Sequence, residues 1–323
     1  MQKNMNNLFT ILKWIEKLGI DGFRIISNGS AMSIKNNVFE LCERCRILGK
    51  KWGILGYLFG DEFEKVDVMN KENCIENSGL QSVFDKQSRL DLVQGIAEDE
   101  NCVNFPFIEK ISRVHRTPDE KGFCLNVYPN IYISDQTTKR LGDLIYDKYN
   151  EDSNSDFYCA RHKIILAALS IFTGPITLYY GDEIGFSTNQ SSITENELIQ
   201  RQNDLHQFTQ KILNARLNHP AMYCGIYSRS FPSNNAHISY KLDIESNDRI
   251  VFISTLSSQQ ITVEYKLECF ELVDVITGEI IKGINRTFSI PIPAFGVRIF
   301  TADDNNITDD TVVSEKNFII SFH

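Results

Sequence analysis

The stretch GIDGFRIISN, residues 19–28, decides the fold predicted for this chain. Glycine and aspartate, which are typical of turns, lead into a short apolar run. Successive side chains of a strand point to opposite faces, so Arg24 alternates in direction with its two apolar neighbours. The stretch therefore predicts a strand over Gly22–Ser27. The helical spacing of apolar residues before it predicts a helix over Asn6–Leu18.

Strand-length apolar runs and helical patterns alternate through the first two thirds of the chain. The predicted strands are Gly22–Ser27, Trp52–Phe59, Leu80–Phe84, Phe123–Ser134 and Gly174–Tyr180. The predicted helices after the first are Val38–Leu48, Leu90–Ala97, Arg161–Phe172 and Asp204–Leu217. Alternation of this kind is typical of parallel βαβ units.

The pattern changes after Pro220, where short runs of β-branched and aromatic residues are separated by turn residues. The predicted strands here are His237–Asp243, Arg249–Thr255, Gln260–Leu267, Phe270–Thr277, Phe288–Pro291 and Val297–Thr301. Such runs predict an antiparallel β domain. We therefore predict a βα region over residues 1–222, a β domain over 223–302 and an acidic, flexible tail over 303–323.

Composition argues against two classes of partner. Hydrophobic residues make up 42% and charged residues 23% of the 323 residues, and 33 Lys and Arg against 42 Asp and Glu give a net charge of −9. An acidic chain without a long basic run is a poor ligand for nucleic acid or an anionic membrane. No apolar run reaches the length of a membrane span, and the N-terminus lacks the features of a signal peptide. The expectation is a cytoplasmic protein.

The eight cysteines are scattered, and we expect them to be reduced. Cys42 and Cys45 form a CxxC inside a helical pattern with no second pair nearby, so two small residues on one helix face is the favoured interpretation. The sequence predicts no metal site and no cofactor.

Five stretches resemble motifs of the alpha-amylase family of glycoside hydrolases. They are GIDGFR at 19–24, ILGY at 54–57, SDQ at 134–136, TGPITLYYGDEIG at 173–185 and KILNARLNHPAMYCG at 211–225. The last two are the most specific, and the order of elements extends the resemblance over roughly residues 8–302. The resemblance implies an α/β fold in which a (β/α)8 TIM-type barrel is followed by an antiparallel β-sandwich.

Only about strands 4 to 8 of that barrel have counterparts here. The first three strands, the domain inserted after the third and the usual calcium ligands have none. A parallel remnant of five strands leaves two edges unpaired. We therefore expect a second copy, a partner chain or a local rearrangement to cover it.

The resemblance places two substitutions at the catalytic positions. Ile26 occupies the position of the nucleophilic Asp, and Tyr57 occupies that of the acid/base Glu. A retaining glycosidase needs two carboxyl groups about 5–5.5 Å apart, and neither side chain supplies one. The family's third carboxylate is kept as Asp135, although its usual neighbouring His is Ser134. Arg24 is also kept, so Arg24, Tyr57 and Asp135 are the predicted substrate-binding residues.

Other acids and aromatic residues offer less favoured sites. Asp61 and Glu62 follow the second predicted strand, where an ordinary solvated loop pair is the favoured interpretation. Asp182 and Glu183 lie in a turn that is structural in the resembled family, and Asp135 either faces a pocket or caps a helix start. Five aromatic residues near strand ends fit either core packing, which is favoured, or stacking on sugars: Tyr57, Phe59, Tyr132, Tyr179 and Tyr180.

Three functions follow as hypotheses. The first, which we favour, is a catalytically inactive alpha-amylase-like protein that binds alpha-glucan or oligosaccharide weakly. The second is an active alpha-glucoside hydrolase or transglycosylase, with an upstream chain completing the barrel or with Asp61, Glu62 and Asp135 acting together. The third is a protein-interaction scaffold that uses the open barrel edge.

Overall fold

The computed structural model describes residues 13, 17–18, 22–25, 43, 47, 57–60, 82–84, 89–90, 92–93, 130–149, 156–188, 195–233 and 236–303. The chain divides into two compact units. One comprises residues 1–87 with 112–131, and the other comprises residues 88–111 with 132–323. The boundaries predicted at 222 and 302 stay predictions.

The first unit contains a parallel sheet whose strands pair in chain order. Strand β1 is Gly22–Ile25, β2 is Tyr57–Gly60 and β3 is Ser82–Val83. Both β1 with β2 and β2 with β3 are parallel, and Phe84 forms a further parallel bridge with Asn130. Parallel strands that neighbour in sequence order are the arrangement of a βα barrel. The three predicted strands are confirmed here, each over a shorter range.

The boundary between the units falls within β4, and the second unit continues with a helical region next to the two-stranded sheet of β4 and β5. Its elements are β4 Ile131–Tyr132, α1 Leu141–Tyr149, α2 Asp156–Ser170, β5 Ile176–Thr177, a 3-10 turn Asp182–Ile184, α3 Glu195–Asn218 and α4 Pro220–Cys224. Helix α1 was not predicted from the sequence, and α3 begins nine residues before the predicted start at Asp204.

Helix α2 forms the core of this region. Its residues from Ile164 to Ser170 are all buried, so the helix is enclosed on every side rather than along one stripe. Two polar residues of α2 are buried as well. The guanidinium of Arg161 lies over the rings of Tyr149 at 4.8 Å and Phe157 at 4.2 Å. His162 directs Nδ1 at the backbone oxygen of Tyr158, 3.0 Å away.

The rest of the second unit is antiparallel. The strands are β6 Ile226–Ser233, β7 Ala236–Leu242, β8 Arg249–Ser254, β9 Ile261–Lys266, β10 Glu271–Asp274, β11 Ile280–Lys282, β12 Thr287–Ile292 and β13 Val297–Asp303. One sheet has the order β11-β10-β13-β8-β7-β6, and a second pairs β12 with β9. The antiparallel region is confirmed, whereas β6 and β11 were not predicted.

Both antiparallel sheets bury side chains in one apolar core. Strand β12 alternates strictly, with Phe288, Ile290 and Ile292 buried and the residues between them exposed. These three side chains share a cluster with Ile253 of β8 and Phe300 of β13 from the larger sheet. Strand β12 therefore supplies alternate side chains to this core, because successive side chains of a strand point to opposite faces.

Two buried cations, Arg216 of α3 and Lys241 of β7, join the helical and antiparallel parts of the second unit. Arg216 donates to the carbonyl oxygens of Ser170 at 2.5 Å, Phe172 at 2.8 Å and Met222 at 3.1 Å, and also to that of Gly174. Lys241 donates to the carbonyl oxygens of Ile171 and Met222, each at 2.8 Å, and to the Thr173 hydroxyl at 3.2 Å.

Arg216 and Lys241 supply hydrogen-bond donors to carbonyl groups at the end of α2 and just after it. The last carbonyl groups of a helix lack intrahelical partners and carry the negative end of the helix dipole. Cations that donate to these groups therefore both satisfy and neutralise them. Burial lowers the pKa of Arg216 to about 10 and, together with the charge of Arg216, that of Lys241 to about 7.

Replacing Arg216 by Met should destabilise the protein by about 3–5 kcal/mol, because several buried carbonyl groups lose their donor at once. Arg286→Met is the matched control, since Arg286 pairs with Glu268 on the surface and should cost about 1 kcal/mol or less. Urea unfolding of both variants measures the difference. Equal losses in the two variants would contradict the role given to Arg216.

A second prediction concerns the stability of the protein in acid. Full burial lowers the pKa of His162 from 6.5 to about 4. The unfolded chain therefore binds a proton below about pH 6.5 that the folded chain resists until about pH 4, so stability falls as the pH drops through this window. The loss should reach about 3 kcal/mol.

Replacing His162 by Phe should remove this part of the pH dependence. Asp182 acts in the opposite direction, because burial raises its pKa to about 6. The measured quantity is therefore the difference in unfolding free energy between wild type and His162→Phe, followed from pH 7.5 to pH 4. A difference that does not change with pH would refute the prediction.

Candidate functional site

The candidate site consists of the loops that follow β4 and β5 in the second unit. The first loop contains Ser134 and Asp135, and the second runs from Tyr179 to Glu183. The side chain of Arg140 joins them, because Nη1 donates to the backbone oxygen of Tyr180 at 2.7 Å. The two loops are therefore neighbours, joined at Arg140.

Asp135 is half-buried and is held by the turn that follows it. Its Oδ1 accepts hydrogen bonds from the Thr137 amide at 2.8 Å, the Thr137 hydroxyl at 2.9 Å and the Thr138 amide at 2.9 Å. Its own amide donates to the Thr138 hydroxyl at 3.0 Å. Burial alone would raise the pKa of Asp135, but the hydrogen bonds from Thr137 and Thr138 outweigh burial and lower it. The carboxylate is therefore ionised at neutral pH, with one oxygen committed to the turn.

Asp182 and Glu183 serve the backbone of their own turn. Asp182 is buried, and its Oδ2 accepts from the Tyr179 amide at 3.0 Å, while Glu183 Oε2 accepts from the Gly181 amide at 3.0 Å. Gly181 has φ 87° and Gly185 has φ 64°, a left-handed backbone that favours glycine. Burial is the main reason that the pKa of Asp182 is raised to about 6. The carboxylates of Asp182 and Glu183 therefore stabilise the turn itself.

Arg140 fixes the second loop in place. Its guanidinium lies over the ring of Tyr179 at 5.0 Å and over that of Phe186 at 4.8 Å, and Nη1 is 4.0 Å from Asp182 Oδ1. Tyr180, whose backbone it binds, is 79% exposed. The loop therefore presents one tyrosine ring to solvent from a backbone that is held by hydrogen bonding and by cation–π contacts.

Arg89 holds the backbone of the first loop, as Arg140 holds that of the second. Its Nε donates to the Ile133 oxygen at 2.7 Å, and its Nη2 donates to the Lys139 oxygen at 3.1 Å, so the loop is held on both sides of Asp135. Its guanidinium also lies 5.9 Å from the centre of the Tyr132 ring. The buried guanidinium carries a positive charge that interacts favourably with Asp135 and Asp182.

A fourth acid, Asp143, holds the backbone that follows the second loop. Asp143, in the first turn of α1, is buried and accepts from the Ser187 hydroxyl at 2.5 Å, the Thr188 amide at 2.8 Å and the Thr188 hydroxyl at 2.9 Å. Tyr158 of α2 donates its hydroxyl to the Gly185 oxygen at 2.8 Å. Both contacts hold the backbone after the 3-10 turn.

The residues predicted from the sequence are distributed over both units. Arg24 lies within β1 opposite Phe59, and Tyr57 is the first residue of β2, opposite Gly22. The side chains of Arg24 and Tyr57, as well as Ile26, Asp61 and Glu62, lie outside the described residues. Their roles stay predictions, as does the role of Asp135 towards substrate.

Among the aromatic residues proposed for sugar stacking, the described side chains differ in exposure. Tyr132 is buried, Tyr179 is half-buried under Arg140, and Tyr180 is exposed. Sequence reasoning missed Arg89 and Arg140, because their partners are backbone oxygens that only the folded chain brings close to them.

The described His, Cys, Asp and Glu side chains include no group of three or more that could hold a metal ion. None of the helices described is both long and apolar enough to cross a membrane.

The sequence matches no family profile and no curated protein, whereas solved structures match its fold. A variant of AmyP in complex with maltotriose matches with a TM-score of 0.76 and 21% identity, over 93% of this chain and 68% of AmyP. AmyP with maltose gives 0.75 and 21%, over 92% and 67%. The alpha-amylase of Geobacillus thermoleovorans, complexed with acarbose, gives 0.72 and 13%, over 94% and 64%.

These matches define an alpha-amylase-like fold, the fold of (β/α)8 barrel proteins that the resemblance implied. The chain spans about two thirds of the length of each of these proteins. At 13–21% identity the likeness is one of fold, and chemistry has to be argued from the site.

Proposed function

We propose that the protein binds alpha-linked gluco-oligosaccharides at the loops after β4 and β5 and does not hydrolyse them. The observation that carries the proposal is that the exposed Tyr180 ring and the ionised carboxylate of Asp135 lie on two loops that Arg140 joins. Sugar sites commonly combine an aromatic face, which packs on the apolar face of the pyranose, with a charged acceptor for hydroxyl groups.

The rigidity of this surface supports the proposal. Arg89 holds the backbone on both sides of Asp135, and Arg140 holds the backbone of Tyr180. A ligand that binds a pre-ordered surface pays less conformational entropy than one that has to order it. AmyP, a protein with the same fold, has been crystallised with maltose and with a maltotriose.

The absence of hydrolysis is argued from two residues at the positions given by the resemblance. Ile26 has no lone pair with which to attack an anomeric carbon. Tyr57 is a phenol with an ordinary pKa of about 10, which makes it a poor proton donor and acceptor near neutral pH. The described carboxylates of the candidate site do not replace them, since Asp182 and Glu183 bind their own turn.

Maltotriose binding, measured by calorimetry, should weaken about tenfold in Tyr180→Ala and in Asp135→Asn, which corresponds to about 1.4 kcal/mol each. Tyr180→Phe keeps the ring and should bind like wild type. Asp135→Asn keeps an acceptor for the turn and removes only the charge. Asp147→Asn, on the exposed part of α1, is the matched charge control. Unchanged affinity in Tyr180→Ala would refute the proposed platform.

A second candidate function, hydrolysis, is favoured by the register of β1 and β2. Ile25 and Gly60 are the last residues of β1 and β2, and they pair with each other. Asp61 therefore follows the end of β2 in the same way that Ile26 follows the end of β1. Catalytic residues of βα barrels follow the C-terminal ends of strands. On this alternative, Asp61 and Glu62 supply the carboxyl groups that the substituted positions lack.

An assay for the release of reducing sugar distinguishes binding alone from hydrolysis. With binding alone, the pure protein releases no reducing sugar from starch or maltotriose above the level of a buffer blank. Hydrolysis instead predicts release that falls at least a hundredfold in Asp61→Asn, about 2.7 kcal/mol of barrier. Release that is equal in wild type, Asp61→Asn and Asp135→Asn identifies a contaminating enzyme and excludes the hydrolysis candidate.

A further inference from the structure

The outer edge of β11 has backbone groups available for another strand. Strand β11 stands at the end of the six-stranded sheet and pairs there with β10. Beyond its last residue, Ile284 pairs with Thr287 at the start of β12, so the outer edge in question is that of Ile280 and Lys282. The Asp274 amide donates to the Glu279 oxygen and the Gly283 amide donates to the Phe270 oxygen, each at 2.9 Å. Because antiparallel pairs alternate, the peptide groups of the residues between, Ile280 and Lys282, point away from β10.

Large apolar side chains are exposed around this edge. Ile280 is 55% exposed, Ile284 is 79% exposed and Phe270, at the start of β10, is 46% exposed. The backbones of Phe270 and Gly283 are hydrogen-bonded, which brings Phe270 and Ile284 to the same end of the sheet. An exposed sheet edge with apolar side chains is the kind of surface that proteins normally cover.

The chain leaves the sheet beside this edge. The last residue of β13, Asp303, pairs with Glu271, which in turn pairs with Lys282 of β11. Two strand spacings, about 10 Å, therefore separate the end of β13 from β11. The residues that follow include the apolar stretch Phe318-Ile319-Ile320-Ser321-Phe322, reached through the 14 residues 304–317. A linker of that length can span about 46 Å when extended, so reach does not limit contact.

We propose that the segment Phe318–Phe322 pairs as an added strand with the outer edge of β11. Its backbone would bind the outward peptide groups of Ile280 and Lys282. Alternation would place Phe318, Ile320 and Phe322 on one face of the sheet and Ile319 on the other, beside the exposed apolar side chains. The tail would thereby cap the edge strand.

Covalent linkage favours this occupant over a second copy of the chain. A segment tethered by a short linker is present at an effective concentration in the millimolar range, far above that of a second molecule in dilute solution. Closing a loop of this length costs little more than closing a shorter one. The aspartates at 304, 309 and 310 and Glu315 keep the linker acidic, which favours an extended connection.

Hydrogen exchange of the full-length chain, resolved to single amides, tests the proposal. The Ile280 and Lys282 amides should exchange at least tenfold faster in the double variant Phe318→Ser, Ile320→Asp than in wild type. The double variant Val312→Ser, Val313→Ser changes the other apolar pair of the tail and is the matched control. It should exchange like wild type. Equal exchange of both amides in all three proteins would overturn the proposal.

Photocrosslinking identifies the occupant directly. With Ile319→p-benzoylphenylalanine, the proposal expects a crosslink within one chain to the peptide that contains residues 280–284. A crosslink to another part of the same chain would overturn the assignment to β11. A crosslink between two chains, together with a dimer in sedimentation that dissociates on dilution, would show that a second copy covers the edge and would also overturn it.

Discussion

Two buried cations that donate to backbone oxygens hold the second unit together. Arg216 and Lys241 come from α3 and β7, and both donate to carbonyl oxygens at the C-terminal end of α2 and in α4. The interaction exchanges the hydration of two charges for hydrogen bonds to backbone groups that a helix end leaves unpaired. It also fixes the loop that leads into β5, and β5 in turn positions the Tyr180 loop.

In the candidate site, too, buried or half-buried cations donate to backbone oxygens. Arg89 and Arg140 donate to backbone oxygens of the loops after β4 and β5, and each also lies over an aromatic ring. The two acids Asp135 and Asp182 have pKa values shifted in opposite directions, because their environments differ. Hydrogen bonds keep Asp135 ionised, whereas burial pushes the pKa of Asp182 up to about 6. Asp135 is therefore a charged acceptor at neutral pH, whereas Asp182 is bound to the backbone of its own turn.

An alpha-amylase-like fold does not by itself carry amylase chemistry. The fold supplies strand ends and the loops after them, and a retaining mechanism additionally requires two carboxyl groups at a defined separation. At the positions given by the resemblance, this chain has Ile26 and Tyr57. Binding through Tyr180 and Asp135 does not require the two catalytic carboxyl groups, which is why binding without hydrolysis is the function that we propose.

The sequence alone determined the elements with a clear apolar pattern, such as the continuous apolar run of helix α2 and the alternating strand β12, because such a pattern is a local property of the chain. It also gave the resemblance to the alpha-amylase family through short motifs such as TGPITLYYGDEIG at 173–185. Only the tertiary structure decided the partners of Arg89, Arg140, Arg216 and Lys241, and whether Tyr132 or Tyr180 is exposed. These contacts join residues as many as 70 positions apart. No local pattern encodes such a pairing, because a buried cation and an exposed one look the same in a sequence until the chain has folded.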